Sequence, residues 1–203
     1  MRGFRSGIDY LVDTCPHIRR VVDTCGRPKS RKRSPGFATL SRIIVDQQVS
    51  VQAGAAIWAR LEAGCGGVTP ETVQKIGIDG LRACGLSGAK ARYVSGIADA
   101  VVDGGLNLNG LSRKRDEDAR EILMALKGIG RWTADIYLMF ALGRPDIMPS
   151  GDIALQAAAG RLFRINPRPG PEALDELAQR WSPYRSVAAI MLWHAYKRMP
   201  ADT

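Results

Sequence analysis

From Phe37 onward the apolar residues Leu40, Ile44, Val51, Ala55 and Trp58 recur at three- and four-residue steps, the period of a helix with one buried stripe. Asp46-Gln47-Gln48 interrupts that stripe where a core helix would stay apolar, and Ser50 follows as a cap residue, so the pattern predicts two helices with a polar break between them. Thr69-Pro70-Glu71 reads as the cap and first turn of another helix, and Gly85-Leu86-Ser87 separates a short apolar segment from a long one over Lys90 to Val102. After an Asn- and Gly-rich turn from Gly104 to Gly110, Ser112 is expected to open a charged helix. Its later face carries Ile122, Leu123 and Leu126, and Gly128-Ile129-Gly130 stops it. Trp132 to Leu142 is amphipathic again; the loop GRPDIMPSGD then leads to a helix beginning near Asp152, and Pro171 to Arg198 reads as two helices broken at Ser182-Pro183. No segment alternates long enough to make a strand. The chain is predicted to be all-α, with about ten short helices and any active cleft lying between helical layers.

The first thirty-odd residues show a mixed pattern. GRPKSRKRSPG, Gly26 to Gly36, is a basic run punctuated by Pro and Gly, which reads as a solvated linker or as an arm that grips phosphate. Residues 1–36 are therefore expected to form an N-terminal extension with a basic linker, and residues 37–203 the core. The 203 residues carry 29 Lys and Arg against 20 Asp and Glu, a formal charge of +9 that suits a polyanionic partner, nucleic acid before an anionic membrane. No run approaches the roughly 18 apolar residues of a membrane span, and the start MRGFRSGIDY has no apolar core of a signal peptide, so a soluble, intracellular protein without a membrane partner is expected. Cys15, Cys25, Cys65 and Cys84 have neither C-x-x-C spacing nor clustered His, which proposes neither a zinc site nor a disulfide framework. With only His17 and His194 in the chain, chemistry based on a histidine base starts at a disadvantage.

The stretch LKGIGRWTAD, Leu126 to Asp135, sets a turn with two glycines, Gly128 and Gly130, between two apolar-periodic segments. Such a hairpin leaves backbone N–H groups at the start of its second helix pointing outward, a seat for a phosphate oxygen, and Arg131 lies beside it. A G-x-G turn also serves as plain punctuation between helices; the basic excess favours a DNA phosphate.

Read together, FATLSRIIVDQQVSVQAGAAIWARL, LRACGLSGAKARYVSGIADAV, LKGIGRWTADIYLMFALGRPDIMPSGDIAL and WSPYRSVAAIMLWHAY, in that order, resemble the helix-hairpin-helix DNA glycosylase superfamily, and most closely its DNA-3-methyladenine glycosylase II branch. The resemblance runs from Phe37 to about Lys197. It implies two helical subdomains with a lesion cleft between them, damaged double-stranded DNA as partner, and a minimal catalytic core acting as a monomer. Asp152, which on its own reads as an N-cap, falls where the family carries its catalytic carboxylate. Trp132 stands where strand-cutting branches carry a Schiff-base lysine, so a glycosylase without lyase activity is implied. Trp132 is then an aromatic wall for an extruded, electron-poor base, with Trp193 matching a second pocket tryptophan and Tyr137 contributing; core packing is the alternative for each. Gln48 aligns with the wedge that fills the gap left by the flipped nucleotide, Gln47 lies alongside, and both are DNA-contact candidates. Asp46 departs from the small residue common there in the family. Trp58 and Trp181 are assigned to the core. No cofactor is required and no iron–sulfur cluster is expected; a monovalent ion, Na+ or K+, is implied on the main-chain carbonyls of Met124, Leu126 and Ile129.

Overall fold

The computed structural model describes residues 3–199. Eleven α-helices occur among them: α1 (Phe4–Thr14), α2 (Pro16–Cys25), α3 (Phe37–Asp46), α4 (Val51–Cys65), α5 (Pro70–Ala83), α6 (Gly88–Val102), α7 (Asp116–Met124), α8 (Arg131–Phe140), α9 (Ile153–Phe163), α10 (Pro171–Ala178) and α11 (Arg185–Arg198). Two short 3-10 turns, Asn109–Arg113 and Gln179–Trp181, complete the regular structure, and no strand is present among the described residues.

The helix starts follow from cap chemistry. Ser50 Oγ accepts the Ala53 N–H, Ser87 Oγ accepts that of Lys90, and Thr69 and Thr72 cap each other reciprocally, each satisfying backbone donors that a first turn leaves open. One expected start is displaced: Ser112 lies in the 3-10 turn, and α7 begins after Arg115 at Asp116-Glu117-Asp118, three carboxylates at the positive end of the helix dipole. Helix α5 kinks at Gly77, whose φ of 63° only glycine adopts cheaply.

The chain divides into two compact units. One joins residues 1–32 to 138–203, the other is 33–137. In the first, α11 is the central helix, packed against α9, α2 and α1. It is apolar almost all round, with Val187 to Leu192 buried, as befits a helix enclosed on several sides. Phe4, Ile8, Leu11, Ile18 and Val21 of α1 and α2 are buried here. Residues 1–32 are thus grouped with the C-terminal segment, and within the stretch expected as an extension two helices precede the irregular run 26–35. In the second unit α6 packs on α5 and on α3, and α4 on α3 and α5, over a core that includes Leu40, Ile44, Leu61, Val73, Leu81 and Val94. Trp181 is fully buried in the first unit, as expected of a core residue. Trp58 is not: it is half-buried, with the Arg42 guanidinium 5.3 Å above its ring, because its helix turns that face outward.

Candidate active site and DNA interface

In the first unit, Asp152 is the N-cap of α9. Its Oδ1 accepts the Leu155 N–H at 3.0 Å and the Trp193 indole N–H at 3.2 Å. The carboxylate sits half-buried at the positive end of a three-turn helix. The capping reading and the catalytic reading of Asp152 are therefore compatible, since one side chain does both. Trp193 is held in turn by Phe140, whose ring stacks on it at 6.0 Å with an interplanar angle of 29°.

The loop that delivers Asp152 is pinned at several points. Asp146 accepts bonds from the Arg185 Nε and Nη2 at 2.9 Å each, from the Arg185 backbone N–H at 3.1 Å, and from Ser182 Oγ at 2.9 Å. Burial alone would raise the Asp146 pKa; the Arg185 and Ser182 bonds outweigh it and hold the carboxyl below its ordinary value. Further on, the Ile147 N–H donates to Ser186 Oγ at 2.9 Å and Gln156 Nε2 donates to the Ser150 carbonyl at 2.9 Å. Asp146, Ile147 and Ser150, all within six residues of Asp152, are thereby tied to α11 or α9, which restricts where the carboxylate points. None of these partners has a recognisable local spacing; Arg185 is 39 residues from Asp146.

In the second unit, α7, the turn 125–130 and the start of α8 form the hairpin. Gly128 has φ 87°, and a Cβ there would collide with the ring of Tyr93, so this position needs glycine both for its backbone and for the close approach of α6. Gly130 has no such constraint: a Cβ there would meet nothing within 4 Å. Arg131 is 56 % exposed, with Nε 3.7 Å from the Asp135 carboxylate. Asp135 is nearly fully enclosed and takes Arg120 Nε of α7 at 2.7 Å, a buried ion pair that joins the two hairpin helices. Beside the turn lies an open cavity of about 660 Å³, lined by Gln48, Lys90, Tyr93 and residues 124–130.

Gln47 has a structural role in addition to the DNA contact expected of it: its Nε2 donates to the Gly128 carbonyl at 3.2 Å and to Thr133 Oγ1 at 2.9 Å, which ties the break after α3 to the hairpin. Lys90, which sequence reasoning missed, secures the same break, with Nζ donating to the carbonyls of Val45 at 2.8 Å and Gln47 at 2.6 Å. Burial pushes the Lys90 pKa down, and Asp46 partly restores it. Gln48 is the residue that this bracing displays: it is exposed and held at φ 52°, a left-handed conformation that costs a non-glycine residue roughly 1–2 kcal/mol. Tyr137 is reassigned. Its ring is wholly buried and its hydroxyl accepts the Gly36 N–H at 2.8 Å, so no face is open to a base. Trp132 is half-buried in the first turn of α8. Met124, at the C-terminus of α7, is exposed, and the Leu126 carbonyl accepts the Ile129 N–H at 3.1 Å.

An all-helical chain built around a glycine-turn hairpin, with an aspartate capping the helix after it, defines a helix-hairpin-helix protein. The chain belongs to the HhH-GPD superfamily of base excision DNA repair proteins, the match covering residues 41–183. It is 30% identical over 186 residues to DNA-3-methyladenine glycosylase 1 of Schizosaccharomyces pombe, covering 88% of this chain and 82% of the relative. A Bacillus subtilis protein named for DNA-3-methyladenine glycosylase activity is 36% identical over 126 residues, and there the match spans only 44% of the relative's length. Among solved structures, the S. pombe 3-methyladenine DNA glycosylase in complex with abasic DNA superposes with a TM-score of 0.87 at 29% identity, over 98% of both chains. No helix among the described residues is long and apolar enough to cross a membrane, and no group of three or more His, Cys, Asp or Glu could hold a metal ion there.

Proposed function

We propose that this protein is a DNA glycosylase of base excision repair that hydrolyses the N-glycosidic bond of alkylated, cationic purines flipped out of duplex DNA, with Asp152 as its catalytic carboxylate. The observation that carries the reading is the oriented Asp152 side chain in a chain of this superfamily: two N–H donors fix Oδ1 without neutralising the charge. Cleavage of the bond develops positive charge on the sugar, and a fixed carboxylate stabilises it and orients the attacking water. An alkylated purine already carries positive charge and leaves readily, so a single oriented carboxylate suits it.

The reaction ends at an abasic site. The position of a Schiff-base lysine is taken by Trp132, whose indole cannot attack the sugar, and its ring serves as a wall against an electron-poor base. The hairpin amides of Gly128 and Gly130, with Arg131, hold a backbone phosphate, the protein acts as a monomer, and its compartment is the cell interior where DNA resides. The carbonyls of Met124, Leu126 and Ile129 suit a Na+ or K+ ion, because they lie at the negative end of α7 and in the turn beyond it, where a carbonyl keeps a lone pair after accepting one bond.

The test is identification of the base released from methylated, deaminated and undamaged duplexes. Methylated purines should be released, and sodium borohydride should trap no covalent adduct. Activity on uracil but not on methylated purines would overturn the substrate, and a trapped adduct the monofunctional chemistry.

Gln48 supplies a second test. Gln48→Gly removes the side chain and relieves its left-handed backbone, so stability should stay constant or rise by up to about 1 kcal/mol. Base release from duplex should nevertheless fall about tenfold, the share expected of a side chain that holds the flipped state. Undiminished release by a folded Gln48→Gly protein would remove Gln48 from the wedge role.

A further inference from the structure

The basic segment 26–32 is not a free linker. With the end of α11 it walls a cavity of about 490 Å³ in the first unit, and Arg27, Lys29, Arg31, Lys197 and Arg198 all face into it. No Asp or Glu is among the lining residues. Two arrangements keep these cations together despite their repulsion. Arg27 Nη1 pairs with Asp9 at 2.7 Å, which anchors the start of the segment to α1. Arg198 Nη1, which can only donate, contacts His194 Nδ1 at 2.8 Å; Nδ1 must therefore accept, leaving Nε2–H to donate to the Cys25 carbonyl at 3.0 Å. The end of α2 is thereby joined to α11. Among the described residues, no ion pair or hydrogen bond is made by the charged groups of Lys29, Arg31 or Lys197, which leaves them to an incoming anion. Trp193, whose indole donates to Asp152, also lines the cavity.

We infer that this cavity is a phosphate site, which takes a backbone phosphate of DNA close to the nucleotide being cleaved. The assignment rests on the glycosylase reading for the DNA but not for the phosphate. Like charges drawn from segments 166 or more residues apart raise a local potential that only an anion offsets, and one phosphate oxygen cluster matches several cations at once. Placement one side chain away from Asp152 makes a nucleic-acid phosphate, rather than a free one, the ligand.

The experiment measures affinity for a duplex containing a tetrahydrofuran abasic analogue over a range of salt concentration, which needs no catalysis. The Lys29→Ala/Lys197→Ala variant, altered only at exposed positions, should lower the slope of log K against log salt by about 0.9, one phosphate, and weaken binding about tenfold at low salt. Lys29→Arg/Lys197→Arg should restore both. Lys75→Ala on α5, outside the cavity, should change neither. An unchanged slope in the alanine pair, or an equal loss with Lys75→Ala, overturns the site. A parallel titration of tryptophan fluorescence with inorganic phosphate separates the two sources: saturation by sub-millimolar phosphate with no change in DNA slope would make it a free-phosphate site and overturn the DNA assignment. Wild-type protein that shows the steeper slope but releases no base supports the phosphate site while the glycosylase reading fails; base release with no slope difference does the reverse.

Discussion

Replacing Asp152 with Asn is expected to cut base release on the order of a thousandfold and leave the fold intact. Charge and hydrogen bonding separate cleanly at this position. Asp152 Oδ1 accepts from both Leu155 N–H and Trp193 Nε1–H, and an Asn carbonyl oxygen can accept both. Asn is also as good an N-cap as Asp, so thermal unfolding should shift little, whereas Asp152→Ala should lose about 1 kcal/mol along with the cap. What Asn removes is the negative charge. A carboxylate about 4 Å from a developing unit charge, at an effective dielectric near 20, is worth roughly 4 kcal/mol. That difference is about three powers of ten in rate. Single-turnover release of a methylated base at saturating enzyme measures it directly, with binding to an abasic-analogue duplex as the control for folding and affinity. Release by Asp152→Asn within tenfold of wild type would leave Asp152 as a cap and nothing more.

How much of this was readable in advance depended on how far each residue's partner lies along the chain. The break after α3, the caps at Ser50 and Thr69, the glycine turn and the helix that Asp152 opens are all local patterns, and the structure has them where the sequence places them. The all-helical class and the family follow from those patterns in sequence. Tyr137 and Gln47 could not be read this way. Whether Tyr137 is a stacking face or a buried strut turns on the Gly36 N–H, 101 residues away, and the brace that Gln47 makes runs to Gly128 and Thr133, more than 80 residues away. The first two helices were missed for a different reason. Neither has a side-chain cap, α1 begins after a left-handed Gly3, and each is only about three turns long, so their buried residues make a weak local stripe that gains meaning only against α11. Trp58 shows the converse error: a residue that continues a helical period need not face the core, and α4 buries only Gly54 and Leu61.

The same long-range logic gives the largest expected loss of stability, at a pair that no local motif announces. Arg120→Met should destabilise the protein by about 3–5 kcal/mol, because it leaves the Asp135 carboxylate, 1 % exposed, without the guanidinium that holds it at 2.7 Å. Breaking one side of a buried pair is costly in a way that removing both is not. The remaining charge keeps its desolvation penalty and loses its compensation. Arg131, whose Nε is 3.7 Å from the other carboxylate oxygen and whose side chain is mostly exposed, can move in by a fraction of that distance, which places the expected loss toward the lower end of the range. The Arg120→Met/Asp135→Leu protein should recover most of the stability, since an apolar pair carries no buried charge. For a chain of this size the single variant's melting temperature should fall by roughly 10 °C, and urea unfolding at constant slope should give the same difference. A loss below 1 kcal/mol, or a double variant no more stable than the single, would show that Asp135 is solvated through Arg131 and that the pair does not hold α7 to α8. Because the bond joins the two helices of the hairpin, DNA affinity should fall with stability in the single variant and return with it in the double.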